Sequence, residues 1–147
     1  MYRSAHDPRQ LELDLFFMPF GGYLDPENRW VKLARRVPWQ QYERQYAEHF
    51  SKHTGPPAKP FRIALGALLI QKQLATSDRE TVELIRENPY LQFFIGLGGF
   101  TTKAPFGAST MKQFRKRIPN DVLGEISAYV REAEQAEKQR ETGSSDS

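Results

Sequence analysis

Cysteine is absent from the 147 residues, so neither a disulfide framework nor a thiolate zinc site can form. No apolar run approaches the roughly 18 residues that a membrane span requires. The opening Met1-Tyr2-Arg3-Ser4-Ala5-His6-Asp7-Pro8 carries charge with no apolar core behind it, which is not the pattern of a secretory leader. A soluble, cytoplasmic chain is the expectation. The most informative absence is of one sign of charge. No Asp or Glu occurs between Glu87 and Asp121, while Lys103, Lys112, Arg115, Lys116 and Arg117 all lie inside that stretch. A run so one-sided repels itself on a free surface and is favoured when a polyanion neutralises it and counterions are released. The overall balance, +3 with an isoelectric point near 9.2, says less than this distribution.

The length suits one domain with a modest core and a tail, and 39% hydrophobic residues with 27% charged fit a small helical domain with a large wet surface. Residues 1–24 read as an irregular arm pinned by Phe16, Phe17, Met18 and Phe20, with a short strand conceivable where Leu11-Glu12-Leu13-Asp14-Leu15 alternates. From there proline and capping residues punctuate helices. Asp25-Pro26 opens the first, with Trp30, Leu33, Ala34 and Val37 on one face. Pro38 opens a second, with Trp39, Tyr42, Tyr46 and Phe50 at near-helical spacing, and Gly55-Pro56-Pro57 breaks it. A third runs from Phe61 to about Leu74. Ser77-Asp78-Arg79-Glu80 matches a capping box for a fourth, to Asn88. Pro89 begins an aromatic-rich fifth that Gly96-Leu97-Gly98-Gly99 ends. Ser109 is read as the cap of a basic helix that Pro119 ends. Asn120 caps a last helix to about Arg140, which loses its apolar stripe beyond Val130 and extends into solvent before the linker-like Thr142–Ser147. The domain proper is therefore placed at 25–130, with a charged helix end and flexible linker over 131–147.

At about 100° per residue, Met111, Phe114 and Ile118 form an apolar stripe on the basic helix. Lys112, Arg115 and Lys116 lie on the far side, and Thr110, Gln113 and Arg117 lie between. A helix docked through the first set would offer amide, hydroxyl and guanidinium groups suited to a major groove. Gln113 could read an adenine edge and Arg115 or Arg117 a guanine edge or phosphate, with Ser109 at a phosphate on the helix N-terminus. The pattern alone fits a solvated amphipathic helix better. Two further acid-free basic runs strengthen the polyanion reading: Arg29, Lys32, Arg35 and Arg36, then Lys52, Lys59, Arg62 and Lys72. The stripe of Trp30, Trp39, Tyr42 and Tyr46 suits base stacking in principle and core packing better.

Catalytic constellations fail on spacing. His49 and His53 are four apart, but Phe50 stands where a zinc protease places its glutamate and no third ligand is evident. Gly96-Leu97-Gly98-Gly99 follows a helix and lacks the trailing Lys-Ser/Thr of a phosphate loop. Glu80, Glu83 and Glu87 share a face with nothing apolar to raise a pKa. No metal, cofactor or enzyme activity is expected of this chain alone.

Three blocks carry a family likeness: Pro60-Phe61-Arg62-Ile63-Ala64-Leu65-Gly66-Ala67-Leu68, the run from Ser77 to Leu97, and Ser109-Thr110 followed by Phe114-Arg115-Lys116-Arg117. Over Leu24 to Ile118 the chain resembles the InsH-like N-terminal domain of bacterial insertion-sequence DDE transposases. The resemblance implies an all-α, helix-turn-helix-like domain, with an extended C-terminal helix, that binds double-stranded DNA at the terminal inverted repeats of a mobile element. In that family a ribonuclease-H-like domain with three metal-binding carboxylates follows, and no acid of this chain matches its motif. The site residues expected on DNA are Ser109, Thr110, Lys112, Gln113, Arg115, Lys116 and Arg117, with Lys59 and Arg62. Helices 78–88 and 89–95 serve as support. The competing reading is a protein-interaction module, in which the aromatic helices pair transposase copies or trap a full-length transposase, a reading motivated by the missing catalytic motif and the aromatic-rich segment 90–95.

Overall fold

The structure, a computed structural model, describes residues 8–45 and 61–145. His49, Phe50, His53, Lys52, Lys59 and Tyr46, all named above, lie outside the described residues. Within them the chain is all-α: α1 (Pro8–Leu15), α2 (Arg29–Arg36), α3 (Trp39–Gln45), α4 (Phe61–Leu74), α5 (Asp78–Glu87), α6 (Pro89–Phe94), α7 (Ala108–Arg117) and α8 (Asn120–Ser145).

Helix α4 is the central rod. Phe61, Ala64, Leu65, Ala67, Leu68, Leu69 and Ile70 are buried along it, so it is apolar nearly all round, as a core helix must be. Gly66 lets α6 approach: a Cβ there would stand 2.9 Å from Ile95 Cγ2. Helices α3, α5 and α7 and the first half of α8 pack against it, α2 packs on α6 and α8, and Trp30 and Trp39 both meet Phe94 edge-on, at centroid separations of 5.5 and 5.3 Å. Of the aromatic stripe, Trp30 and Tyr42 are thus core and Trp39 packs against it. The aromatic segment at 90–95 is core too, where Leu91, Phe93, Phe94 and Ile95 are buried and unavailable to a partner.

The α4–α5 turn closes at Ala75, a non-glycine residue at φ 53°. The capping box then forms as expected: Ser77 Oγ accepts from Glu80 N at 3.1 Å, and Ser77 N donates to Glu80 Oε1 at 3.2 Å. Asn88 alone separates α5 from α6. It is C-cap of the first and N-cap of the second, accepting from Tyr90 N at 2.9 Å.

Several local expectations are corrected. The arm contains a helix, α1, over the stretch that alternates apolar and acidic residues; its Leu13 is buried, and Glu12 pairs with Arg62 at 2.6 Å. Only Phe16 of the Phe16–Phe17 pair enters the core, meeting Phe93 edge-on at 5.8 Å, while Phe17 makes an isolated parallel bridge to Gly99. The first core helix starts at Arg29. Asp25 instead caps a preceding turn by accepting from Glu27 N at 2.9 Å, and Asn28 takes the N-cap by accepting from Trp30 N at 2.8 Å. Ser109 does not cap the basic helix. Phe106 is buried edge-on against Phe114 at 5.1 Å, which fixes the chain's entry two residues earlier and leaves extended Gly107 as N-cap. Finally, helix α8 continues through the linker-like 142–145, since propagation adds one hydrogen bond per residue once a helix exists. Arg36 holds its outer half, donating to Glu137 at 2.7 Å and Glu134 at 3.3 Å.

Candidate nucleic-acid interface

Helix α7 is mounted by the stripe foreseen from its spacing. Met111, Phe114 and Ile118 are buried against α4 and α5. The opposite face is exposed and carries Ser109, Lys112, Gln113 and Lys116. Their spacing places them within an arc of about 100°, centred opposite the buried stripe. Thr110 and Arg117 flank this face, half-buried. No acid lies anywhere on α7.

The N-terminus of α7 adds a second property. Its cap is Gly107, and no side chain accepts from the first-turn N–H groups. Thr110 N turns back to the Gly107 carbonyl at 3.0 Å, and the remaining first-turn donors, aligned with the positive end of the helix dipole, suit an anion. At the other end Arg115, Lys116 and Arg117 oppose the negative dipole end, an arrangement that is stabilising in its own right.

Two cations of the expected set are engaged inside the fold. Arg115 makes a bidentate pair with Asp78, at 2.6 and 2.9 Å, and donates to Gln71 at 3.3 Å. It therefore ties α7 to the start of α5 and the end of α4. The Arg115 hydrogen bond holds the Asp78 carboxyl down to about 2 from its ordinary 3.8, against the opposing effect of burial, and Gln71 and Lys112 pull the same way. Arg62 lies under α6. It donates to the carbonyls of Phe94 and Phe93 at 3.1 and 3.2 Å, pairs with Glu12, and stacks over Trp39 at 4.7 Å. Burial pulls its pKa down and Glu12 opposes that. Both arginines close helix ends or helix pairs, and sequence spacing cannot reveal such partners.

The Asp78 pair makes a pH prediction. Its pKa is depressed in the fold, so its contribution is present above pH 3.8 and is lost as the pH falls towards about 2. Discounted for solvent screening at a half-exposed site, that contribution is on the order of 1–2 kcal/mol. Urea melts of Asp78→Asn should show lower stability at neutral pH and a shallower acid limb between pH 4 and 2. An unchanged acid limb would show that the pair contributes nothing.

Sequence reasoning missed Gln92, the residue that positions the segment leading into α7. It is fully buried, and its amide donates to the carbonyls of Ile85, Arg86 and Thr101 at 3.0, 3.2 and 2.9 Å and accepts from Thr101 N at 2.9 Å. It ties the end of α5 to the loop 95–107. No pattern flags such a residue beforehand. A glutamine inside an aromatic run is the faint signal, because a polar group there must find partners.

Among the described residues no group of His, Cys, Asp or Glu side chains could hold a metal ion, and no helix is long and apolar enough to cross a membrane. A cleft of about 360 Å³ between α2, α4 and α8 is lined by Lys72, Gln73, Ser127, Arg131 and Glu134. Its one carboxylate is already held by Arg36, so the cleft offers no acid–base pair.

Comparison with known proteins supplies the frame. No solved structure matches the chain. A curated relative from Rhizobium meliloti, described as uncharacterized protein ORF8 in the nfe locus, is 36% identical over 113 residues. That match covers 77% of this chain and 54% of the relative, so the chain spans about half the length of the relative. The family described as Transposase domain (DUF772) matches residues 19–117, two thirds of the chain, from the aromatic arm to the last turn of α7. The chain therefore belongs to the DUF772 transposase-domain family, and its role is related to transposition.

Proposed function

We propose that the chain is the DNA-binding domain of a transposase and recognises the terminal inverted repeats of an insertion sequence. The observation that carries this reading is the exposed face of α7: two lysines, a glutamine and a serine in one acid-free stripe, set on a rigid apolar base. Lys112 and Lys116 supply phosphate contacts, Gln113 a base edge, and the open N-terminus with Ser109 a further phosphate. Arg115 and Arg62 act as braces that hold this face in place. Thr110 and Arg117 border it. Helices α5 and α6 support α7 across the loop 95–107, a helix-turn-helix-like arrangement with an elongated connection. Helix α5 is a poor alternative reader, because Glu80, Glu83 and Glu87 on its exposed surface would repel phosphates.

The test is anisotropy titration with a labelled duplex carrying the terminal repeat of the element that encodes the chain, against a scrambled duplex of equal length. A specific reader should prefer the repeat by at least about 10³-fold at physiological salt, with affinity falling steeply as salt rises. Equal binding to both duplexes would refute repeat recognition, and absence of binding to either would refute the DNA reading altogether.

A further inference from the structure

Among the described residues, all the large hydrophobic side chains left in water except Tyr129 lie on one short segment far in sequence from α7. Leu11 is 51% exposed, Leu15 68%, Phe17 66%, Phe20 86% and Tyr23 83%. Leu11 and Leu15 are one helical turn apart on α1 and share its outer face. The segment is not a loose tail. Leu13, Phe16 and Leu24 anchor it in the core. The Phe17 backbone is bonded on both sides, donating to Gly98 O at 3.0 Å and accepting from Phe100 N at 2.8 Å. Asp25 N donates to the Tyr90 hydroxyl at 2.9 Å where the segment rejoins the body. The exposed side chains are thus presented on a fixed backbone, and ordering them on binding costs little beyond their own rotamers.

We infer that this segment, Leu11 to Tyr23, is an interface that pairs two copies of the chain. The area argues for a second copy. At roughly 200 Å² for each aromatic ring, Phe17, Phe20 and Tyr23 alone present on the order of 500 Å². With the two leucines the segment's exposed apolar area approaches the ~800 Å² that each partner gives to a standard interface. The five exposed side chains bear no formal charge, and in a two-fold pairing the same patch serves both sides. Two phenylalanines and a tyrosine at its centre are the residue types enriched in interface cores.

Sedimentation equilibrium of the full chain without DNA tests this independently of the DNA reading. The wild type should dimerise at tens of micromolar or tighter, and Phe17→Ser/Phe20→Ser should weaken the dimer at least about tenfold with unchanged helical circular dichroism. A wild type that stays monomeric up to several hundred micromolar overturns the inference, as does a double variant that dimerises equally well. Should the double variant lose helicity, a photo-crosslinker at position 20 decides instead. Chain-to-chain products that vanish on dilution support the interface, and their absence at high concentration overturns it.

Discussion

Replacing Gln92 with leucine should destabilise the domain by about 3 kcal/mol, the largest effect expected of any single substitution outside the apolar core. The arithmetic rests on what is orphaned. Leucine fits the volume but leaves the carbonyls of Arg86 and Thr101 and the Thr101 N–H without their amide partner, while the Ile85 carbonyl keeps only Asn88 N at 3.4 Å. A buried polar group without a hydrogen bond costs about 1–3 kcal/mol, and relaxation of the loop will recover part of the total. The urea midpoint should fall by more than about 1 M for a slope typical of a small domain. A loss under about 1 kcal/mol would mean that water replaces the amide and that the loop 95–107 is not held by it. The consequence reaches the candidate interface, because that loop delivers Phe106 and the N-terminus of α7.

What the sequence made legible follows the physics of each signal. The core helices 61–74 and 78–87 were clear because apolar periodicity, proline and the capping box are local and point the same way. The docking stripe of α7 was clear for the same reason, and the all-α architecture followed from these elements. The start of α2 was read at Asp25-Pro26, whereas Asn28, three residues on, has the same capping chemistry and is the cap that the fold selects. Helix α1 was hidden because the five alternating residues Leu11–Leu15 give a strand-like period, while the packing of the arm is decided by distant Phe93 and Arg62. Arg115 was read as an outward cation because its partner, Asp78, lies 37 positions away. Net charge along a chain shows where cations are, but it does not show which of them the fold has already used. The aromatic segment at 90–95 gave the opposite error: it looked like a partner surface and proved to be core, while the exposed aromatics lie on the arm.

The distinction between free and engaged cations makes the second large prediction. Lys112→Ala/Lys116→Ala should leave stability within about 0.5 kcal/mol of wild type, since both side chains are solvated. Affinity for the terminal-repeat duplex should fall by roughly ten- to hundredfold at low salt, and the slope of log K against log salt should flatten by about 2, one for each phosphate that no longer meets a lysine. Arg115→Ala should do the reverse. It leaves Asp78 without its bidentate partner and loosens α7 from α5, lowering stability by about 1–2 kcal/mol in a half-exposed setting, yet it should leave the salt slope unchanged under conditions where the protein is folded. Gln113→Ala should separate from both, keeping stability and slope while reducing the preference for the repeat over a scrambled duplex by the equivalent of about 1–3 kcal/mol. The three variants therefore assign each side chain to phosphate, brace or base by a different readout. If Arg115→Ala flattens the slope while the lysine pair does not, the DNA lies along the Asp78 flank of α7, and the face bearing Lys112 and Lys116 is simply solvated.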